Sequence, residues 1–238
     1  MIARSAAVFG FNEYSRQIAY QIRNLYRDFG LFVVNEEEKK AAYEAGFLVE
    51  LVDLSDDWHG IEKRFDVSSL IVFCALANDA ENVFLTISLR ATFDKLNIVA
   101  LAQDNESAIK MKSAGADKVL PSLQIAANVI ADMLEKPIVT KVLHEVLYES
   151  SLLNIVEIEV GENSPFAGRY LHDIHFKTHY DVILLAIVDH ELGTTFSFAS
   201  KGHNHHIDIG DILVVIGYPD KVERLKQAIK GQVWPRSE

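Results

Sequence analysis

Short apolar runs alternate along the first half of the chain with polar stretches of helical spacing. Runs at residues 6–9, 31–34, 48–52, 70–75, 98–102 and 118–120 predict strands, several nearly continuous in Val, Ile, Leu and Phe, as strands covered on both faces are. Between them, 14–27, 36–45, 57–65, 80–93 and 106–114 predict helices. In the first of these, Ile18, Ile22 and Leu25 share a face, and in the fourth Val83, Ile87 and Leu89 are expected inward. Gly115 stands where a helix C-cap is expected. Strands alternating with helices imply an α/β fold, a Rossmann-like, doubly wound and mostly parallel sheet with right-handed crossovers.

Residues 122–149 break that alternation. Two amphipathic helices, 124–134 and 138–148, flank the stop at Pro137, and they follow a sheet that is already complete. Their apolar faces predict a dimer contact or a linker between lobes. From Leu152 the texture changes to short strands at 154–160, 182–188, 195–198 and 212–216, the first with an edge-type alternation. A short helix at 170–174 and a closing amphipathic helix at 221–230 complete a small α+β lobe. The expected division is a Rossmann-like lobe over 1–121, a helical segment over 122–150, the α+β lobe over 151–231 and a tail over 232–238.

Charge narrows the partners. The 238 residues carry a formal net charge of -11, which argues against a nucleic acid, because neutralising phosphates needs a basic face. Acidity on that scale suits a cation ligand or solubility. Cys74 is the only cysteine, so neither a disulfide framework nor a cysteine-based zinc site is expected. No apolar stretch reaches the roughly 18 to 20 residues of a membrane helix, and no signal-peptide pattern opens the chain. The expected location is therefore cytoplasmic, and a membrane part encoded with it elsewhere is left open.

The stretch with candidate chemistry is Ala6-Ala7-Val8-Phe9-Gly10-Phe11-Asn12-Glu13-Tyr14-Ser15. An apolar strand meets a glycine and then enters a helix, as in the first strand-loop-helix of dinucleotide-binding folds, where glycines let phosphate approach the helix N-terminus. Only Gly10 of the G-x-G-x-x-G spacing is present, with Asn12 and Ser15 at the second and third glycine positions.

Several stretches together resemble the RCK family, the regulators of potassium conductance also described as TrkA-type domains. In the first half these are the Gly10 loop, Val52-Asp53-Leu54-Ser55-Asp56, the stretch from Ala75 to Val83, and Gly115-Ala116-Asp117-Lys118-Val119-Leu120-Pro121. In the second half they are the stretches 164–171 and 180–188, and Ile209-Gly210-Asp211-Ile212-Leu213-Val214-Val215-Ile216-Gly217. The series covers nearly the whole chain in order. The resemblance implies a non-enzymatic, cytoplasmic sensor at the inner face of the cell membrane. It implies a homodimer that assembles into a ring, tetrameric or octameric, and gates a potassium channel pore or transporter on binding a nucleotide or a divalent cation. The glycine-poor loop is closer to the channel branch. A potassium channel's gating-ring domain is the expected function. The alternative is a separate peripheral subunit of a Trk or Ktr type transporter, and Met1 ahead of the first strand permits either arrangement. An NAD-dependent oxidoreductase is a further alternative, disfavoured because the second lobe is too small and strand-rich for a substrate domain.

The resemblance also implies site residues. For NAD(H) or an adenine nucleotide, Gly10, Phe11 and Asn12 would face phosphate, Asn35 or Glu36 ribose, Asp53 the adenine side, and Ala75 and Asn78 the crevice. Asn35 stands where transporter members carry a ribose-binding acid. At the calcium position of channel members Asp53 matches, but Leu101 and Gln103 replace the glutamates, so calcium is expected to bind weakly or not at all. His203, His205 and His206 could offer imidazoles to zinc or nickel, or titrate near neutrality, though a solvated loop is the plainer expectation.

Overall fold

The computed structural model describes residues 5–149, 152–190, 196–198 (backbone only) and 205–231. The chain divides into two compact units, residues 1–131 and 132–238.

The first unit is built on six parallel strands: β1 (Ser5–Phe9), β2 (Asp28–Val33), β3 (Val49–Leu51), β4 (Leu70–Cys74), β5 (Asn97–Ala102) and β6 (Lys118–Pro121). Their spatial order is β3-β2-β1-β4-β5-β6. The crossover helices are α1 (Glu13–Ile22), α2 (Glu36–Glu44), α3 (His59–Arg64), α4 (Asp79–Thr92) and α5 (Asn105–Ser113). The alternating period of the strands divides the core in two. Ala7 and Phe9 of β1, Phe32 of β2 and Val72 and Cys74 of β4 join one buried cluster. Val8, Leu31 and Val33 join the other. Phe9 stacks on Phe32 at 4.9 Å and meets the Trp58 ring edge-on at 5.5 Å.

Three local features depart from the periodicity. Helix α1 ends at Ile22, and Leu25 lies beyond it, 76% exposed. In α4 the inward face is Asn82, Leu85, Thr86 and Leu89, while Ile87 is half exposed, because it lies about 140° around the helix from Asn82, on the outward side. Helix α3 begins at His59, two residues later than expected, since Trp58 adopts a left-handed backbone (φ 59°) that places its ring in the core and its indole N–H on Ser88 Oγ at 2.7 Å. The Gly-Ala-Asp stretch is structural. Gly115 turns the chain out of α5 with φ 105°, and Asp117 accepts from Arg90 and from the Ile98 amide, each at 2.7 Å.

Helix α6 (Ser122–Glu135) runs from the first unit into the second, and α7 (Pro137–Tyr148) follows it. Neither helix has a buried residue, and each exposes an apolar row: Val129, Ile130, Met133 and Leu134 on α6, and Ile138, Val142, Leu143 and Leu147 on α7.

The rest of the second unit is an antiparallel sheet of β7 (Asn154–Glu159), β8 (Ile183–Val188), β9 (Phe196–Phe198) and β10 (Ile212–Gly217), in the order β7-β10-β8-β9, with β7 at an edge. Helix α8 (Pro219–Ile229) lays Val222, Leu225, Ala228 and Ile229 into its core. One π-helical turn (Phe176–Tyr180), without a sequence signal, carries Phe176 and Tyr180 into that core and ends at Asp181 in the left-handed region. Residue 195, where the strand 195–198 is expected to start, lies outside the described residues, as does the tail 232–238.

Candidate functional site

Ligands of an open parallel sheet bind outside the C-terminal strand ends, where the strand order reverses. Here that point lies between β1 and β4, and the loops leaving both strands meet there. Gly10 has φ 104°, its amide donates to the Phe32 carbonyl at 2.7 Å, and a Cβ placed on it would stand 2.5 Å from the Ala75 carbonyl oxygen. Only glycine fits that crossing.

Asn12 is the N-cap of α1. Its Oδ1 accepts from the amides of Tyr14 (3.0 Å) and Ser15 (3.2 Å), and its own amide donates to Ser15 Oγ at 2.8 Å. This is a reciprocal capping box. The two residues standing in glycine positions thus take up the Asn12, Tyr14 and Ser15 amides at the start of the helix. Asn12 Nδ2 also donates to the Ala75 carbonyl at 2.7 Å, tying the two loops together.

Asn35 caps α2, accepting from the Glu38 amide at 2.8 Å. Glu38 sits in the position from which a capping-box glutamate reaches back to its own N-cap. It reaches across to the β1–α1 loop instead, where its carboxylate accepts from the Phe11 amide at 3.1 Å. Burial pushes the Glu38 carboxyl above its ordinary value, Glu81 and Glu37 push the same way, and the Phe11 amide pulls against them.

The other expected site residues sit on the same edge. Glu36 is exposed and pairs with Lys39 at 3.3 Å. Asn78 caps α4, accepting from the Ala80 amide at 2.8 Å. Asp53 accepts from the amide and hydroxyl of Ser55, at 2.9 and 2.7 Å, and these bonds hold its carboxyl below the usual range. Gly10, Phe11, Asn12, Ala75 and Glu38 form one cluster. Asp53 follows β3 at the sheet edge, four strands from β5 with Leu101, a separation of roughly 19 Å at about 4.8 Å per strand. The sheet therefore does not gather Asp53 with Leu101 and Gln103 into one cation site.

On the β5 side lies a cavity of about 200 Å³. Asn12, Glu13 and Tyr14 line it from the start of α1, Leu76 and Ala77 from the β4–α4 loop, Asp79 from the first turn of α4, Leu101 from β5 and Gln103 from just beyond it. Gln103 is anchored: its amide donates to Asp79 Oδ2 at 3.0 Å and its side chain to the Ala77 carbonyl at 3.0 Å. Beneath it, the fully buried Asn82 holds the Leu76 amide at 2.8 Å and the Leu76 carbonyl at 3.0 Å. Sequence reasoning missed Asn82 and the role of Glu38. A polar residue in the inward phase of α4 was the available signal for the first; Glu38 reads from sequence as one more acid at a helix start.

The residues present do not fit a pyrophosphate as they stand. The amides of Gly10, Phe11, Tyr14 and Ser15 all have protein acceptors, and one of those acceptors is a carboxylate.

In the second unit His205 departs from the expected solvated loop, while His206 is exposed. His205 is mostly buried, and its Nε2 meets Asp211 Oδ2 at 2.8 Å, with Asp189 4.0 Å from Nδ1. Asp211 is fully buried and also accepts from the amides of His190 (3.0 Å) and Asp208 (2.9 Å). Burial raises its carboxyl pKa, but those two amides and the His205 ring outweigh it, and the net value is lowered. His206 pairs with Asp208 at 3.0 Å, and His203 lies outside the described residues. Among the described residues, no three metal-ligating side chains are gathered to hold an ion, and no helix is long and apolar enough to cross a membrane.

Comparison with known proteins gives two family matches: the TrkA-N domain over residues 6–122 and the TrkA-C domain over residues 155–230. Potassium channel protein 1 of Methanocaldococcus jannaschii is 25% identical over 171 residues, covering 72% of this chain and 48% of that protein. The chain thus spans about half the length of the curated relative it matches. The human SLO3 gating ring superposes with a TM-score of 0.64 over 92% of this chain and 45% of its own, at 13% identity, which is a likeness of fold. The GsuK channel bound to NAD aligns over 96% of this chain and 39% of its own, at 19% identity and a TM-score of 0.45.

Proposed function

We propose a function from the premise that this chain belongs to the RCK family, a TrkA-N domain followed by a TrkA-C domain: it is a regulatory domain that sets the conductance of a potassium channel. The observation that carries this reading is the two family matches in order, with a potassium channel protein matched over 72% of the chain. A regulatory role also agrees with the chemistry of the sites. In the Gly10 loop the Gly10, Phe11 and Asn12 amides are held by the Phe32 carbonyl, Glu38 and Ser15, and both nitrogens of the His205 ring face carboxylates, so neither site pairs a nucleophile with its base.

In this reading the domain works at the inner face of the cell membrane. The exposed rows of α6 and α7 pair two copies, with 122–150 as the dimerising and linking segment, and the pairs close into a ring coupled to the pore. An effector at the C-terminal edge of the sheet biases the ring only through its different affinity for the two ring states. Gly10, Phe11, Asn12, Asn35, Glu36, Asp53, Ala75 and Asn78 remain the proposed lining for a nucleotide, which enters only if Glu38 yields its place. A separate regulatory subunit of a potassium transporter is the second reading, supported by the same family matches.

The test is rubidium uptake, as a potassium tracer, in the native host with the gene segment for residues 6–230 intact or deleted in frame. The proposal expects uptake, or its response to ionic conditions, to change on deletion. Identical uptake in both strains overturns it.

A further inference from the structure

We infer that Glu38 is an internal competitor for phosphate: its carboxylate occupies the anion position of the Gly10 loop and decides whether this crevice admits a nucleoside diphosphate. The inference rests on the crevice being the effector site proposed above.

The backbone turn after Gly10 is the part of this fold that offers amides to a phosphate. The Phe11 amide, the first after the glycine, already donates to a carboxyl oxygen, Glu38 Oε2, at 3.1 Å. The contact joins residues 27 apart, so α2 must be docked for it to form. Two bonds aim it. Asn35 fixes the first turn of α2 through the Glu38 amide, and Asn12 fixes the receiving loop through the Ala75 carbonyl. A glutamate in this helix position ordinarily satisfies its own N-cap. Here it serves a loop of another element, the one where an incoming anion would need the same donor.

Charge adds to the occupancy. Burial is the main cause that disfavours the ionised form of Glu38, with Glu81 and Glu37 pushing the same way, and a diphosphate entering beside it would meet the negative field of those two carboxylates. Departure of Glu38 frees the donor and removes one of the opposing charges. The cap of α2 survives, because Asn35 rather than Glu38 holds it.

The test is isothermal titration of the whole chain with ADP, in wild type, Glu38→Ala, Glu38→Gln and the exposed control Glu44→Ala. Melting curves establish that each variant is folded. The inference expects Glu38→Ala to bind ADP at least about tenfold more tightly than wild type. Glu38→Gln, which keeps an acceptor but loses the charge, should share part of the gain, and Glu44→Ala should match wild type. Equal ADP affinity in wild type, Glu38→Ala and Glu38→Gln overturns the inference, whether all bind or none does. Rubidium uptake that ignores deletion of the domain would overturn the functional reading while leaving this result standing.

Discussion

Asn12 Nδ2 donates to the Ala75 carbonyl at 2.7 Å, so the residue standing in a phosphate-loop glycine position braces the crossing of two loops. The same side chain caps α1 through Tyr14 and Ser15. Replacing it with alanine removes a cap worth about 0.5–2 kcal/mol and leaves the Ala75 carbonyl without that donor. Urea melts of Asn12→Ala should show a loss of about 1–3 kcal/mol. Wild-type stability would contradict the bracing role.

Gly10→Ala should be no milder. Its φ of 104° suits no side chain, and the added Cβ would meet the Ala75 oxygen at 2.5 Å. Backbone strain of this kind costs about 1–3 kcal/mol before the clash is counted. A drop in the melting midpoint of the first unit is the expected outcome, and an unchanged midpoint would show that the loops can separate.

The alternation that fixes the sheet is legible in sequence because β1, β4 and β5 are buried on both faces and need nearly unbroken apolar runs. Gly10 is legible for the same kind of reason, since its conformation excludes other residues. Glu38 is not, because its partner is 27 residues away and the local signal, an acid in a first helical turn, is what any helix start shows. Nor is the burial of Asp211, whose polar neighbourhood reads as a surface loop until three donors are brought onto it. Trp58 is misread because tertiary packing of its ring on Phe9 overrides the backbone preference of a bulky residue.

Asp211 governs the acid limit of the second unit. Its carboxyl is held below the ordinary value, so the stability it contributes is complete above the unfolded-state pKa and is lost as pH falls through the depressed folded one. Below the usual carboxylate range the unit should therefore lose stability, followed by the amide exchange of β10. Asp211→Ala, which strands two amides and the His205 ring, should cost about 2–4 kcal/mol and flatten that acid dependence. An equally steep profile in the variant would place the acid sensitivity elsewhere.

Cys74 is fully buried in β4, and burial pushes its thiol up to about 12, against a smaller opposing bond to Thr86. The thiolate is the reactive form, so the native protein should resist thiol reagents at pH 8 and react only on unfolding. Rapid labelling of the folded chain would mean that the sheet opens locally.

The central claim is that this domain controls potassium conductance as a paired assembly, and the apolar rows of α6 and α7 are where pairing is proposed. The direct measurement is potassium flux into vesicles reconstituted with the complete native potassium-conducting assembly that contains this chain, comparing wild type with Ile130→Glu plus Leu143→Glu. Ile130 and Leu143 are 59% and 49% exposed, so charging them should leave the fold intact. The account predicts that the paired form is lost by light scattering and that the flux changes with it. Loss of pairing with unchanged flux would contradict the account.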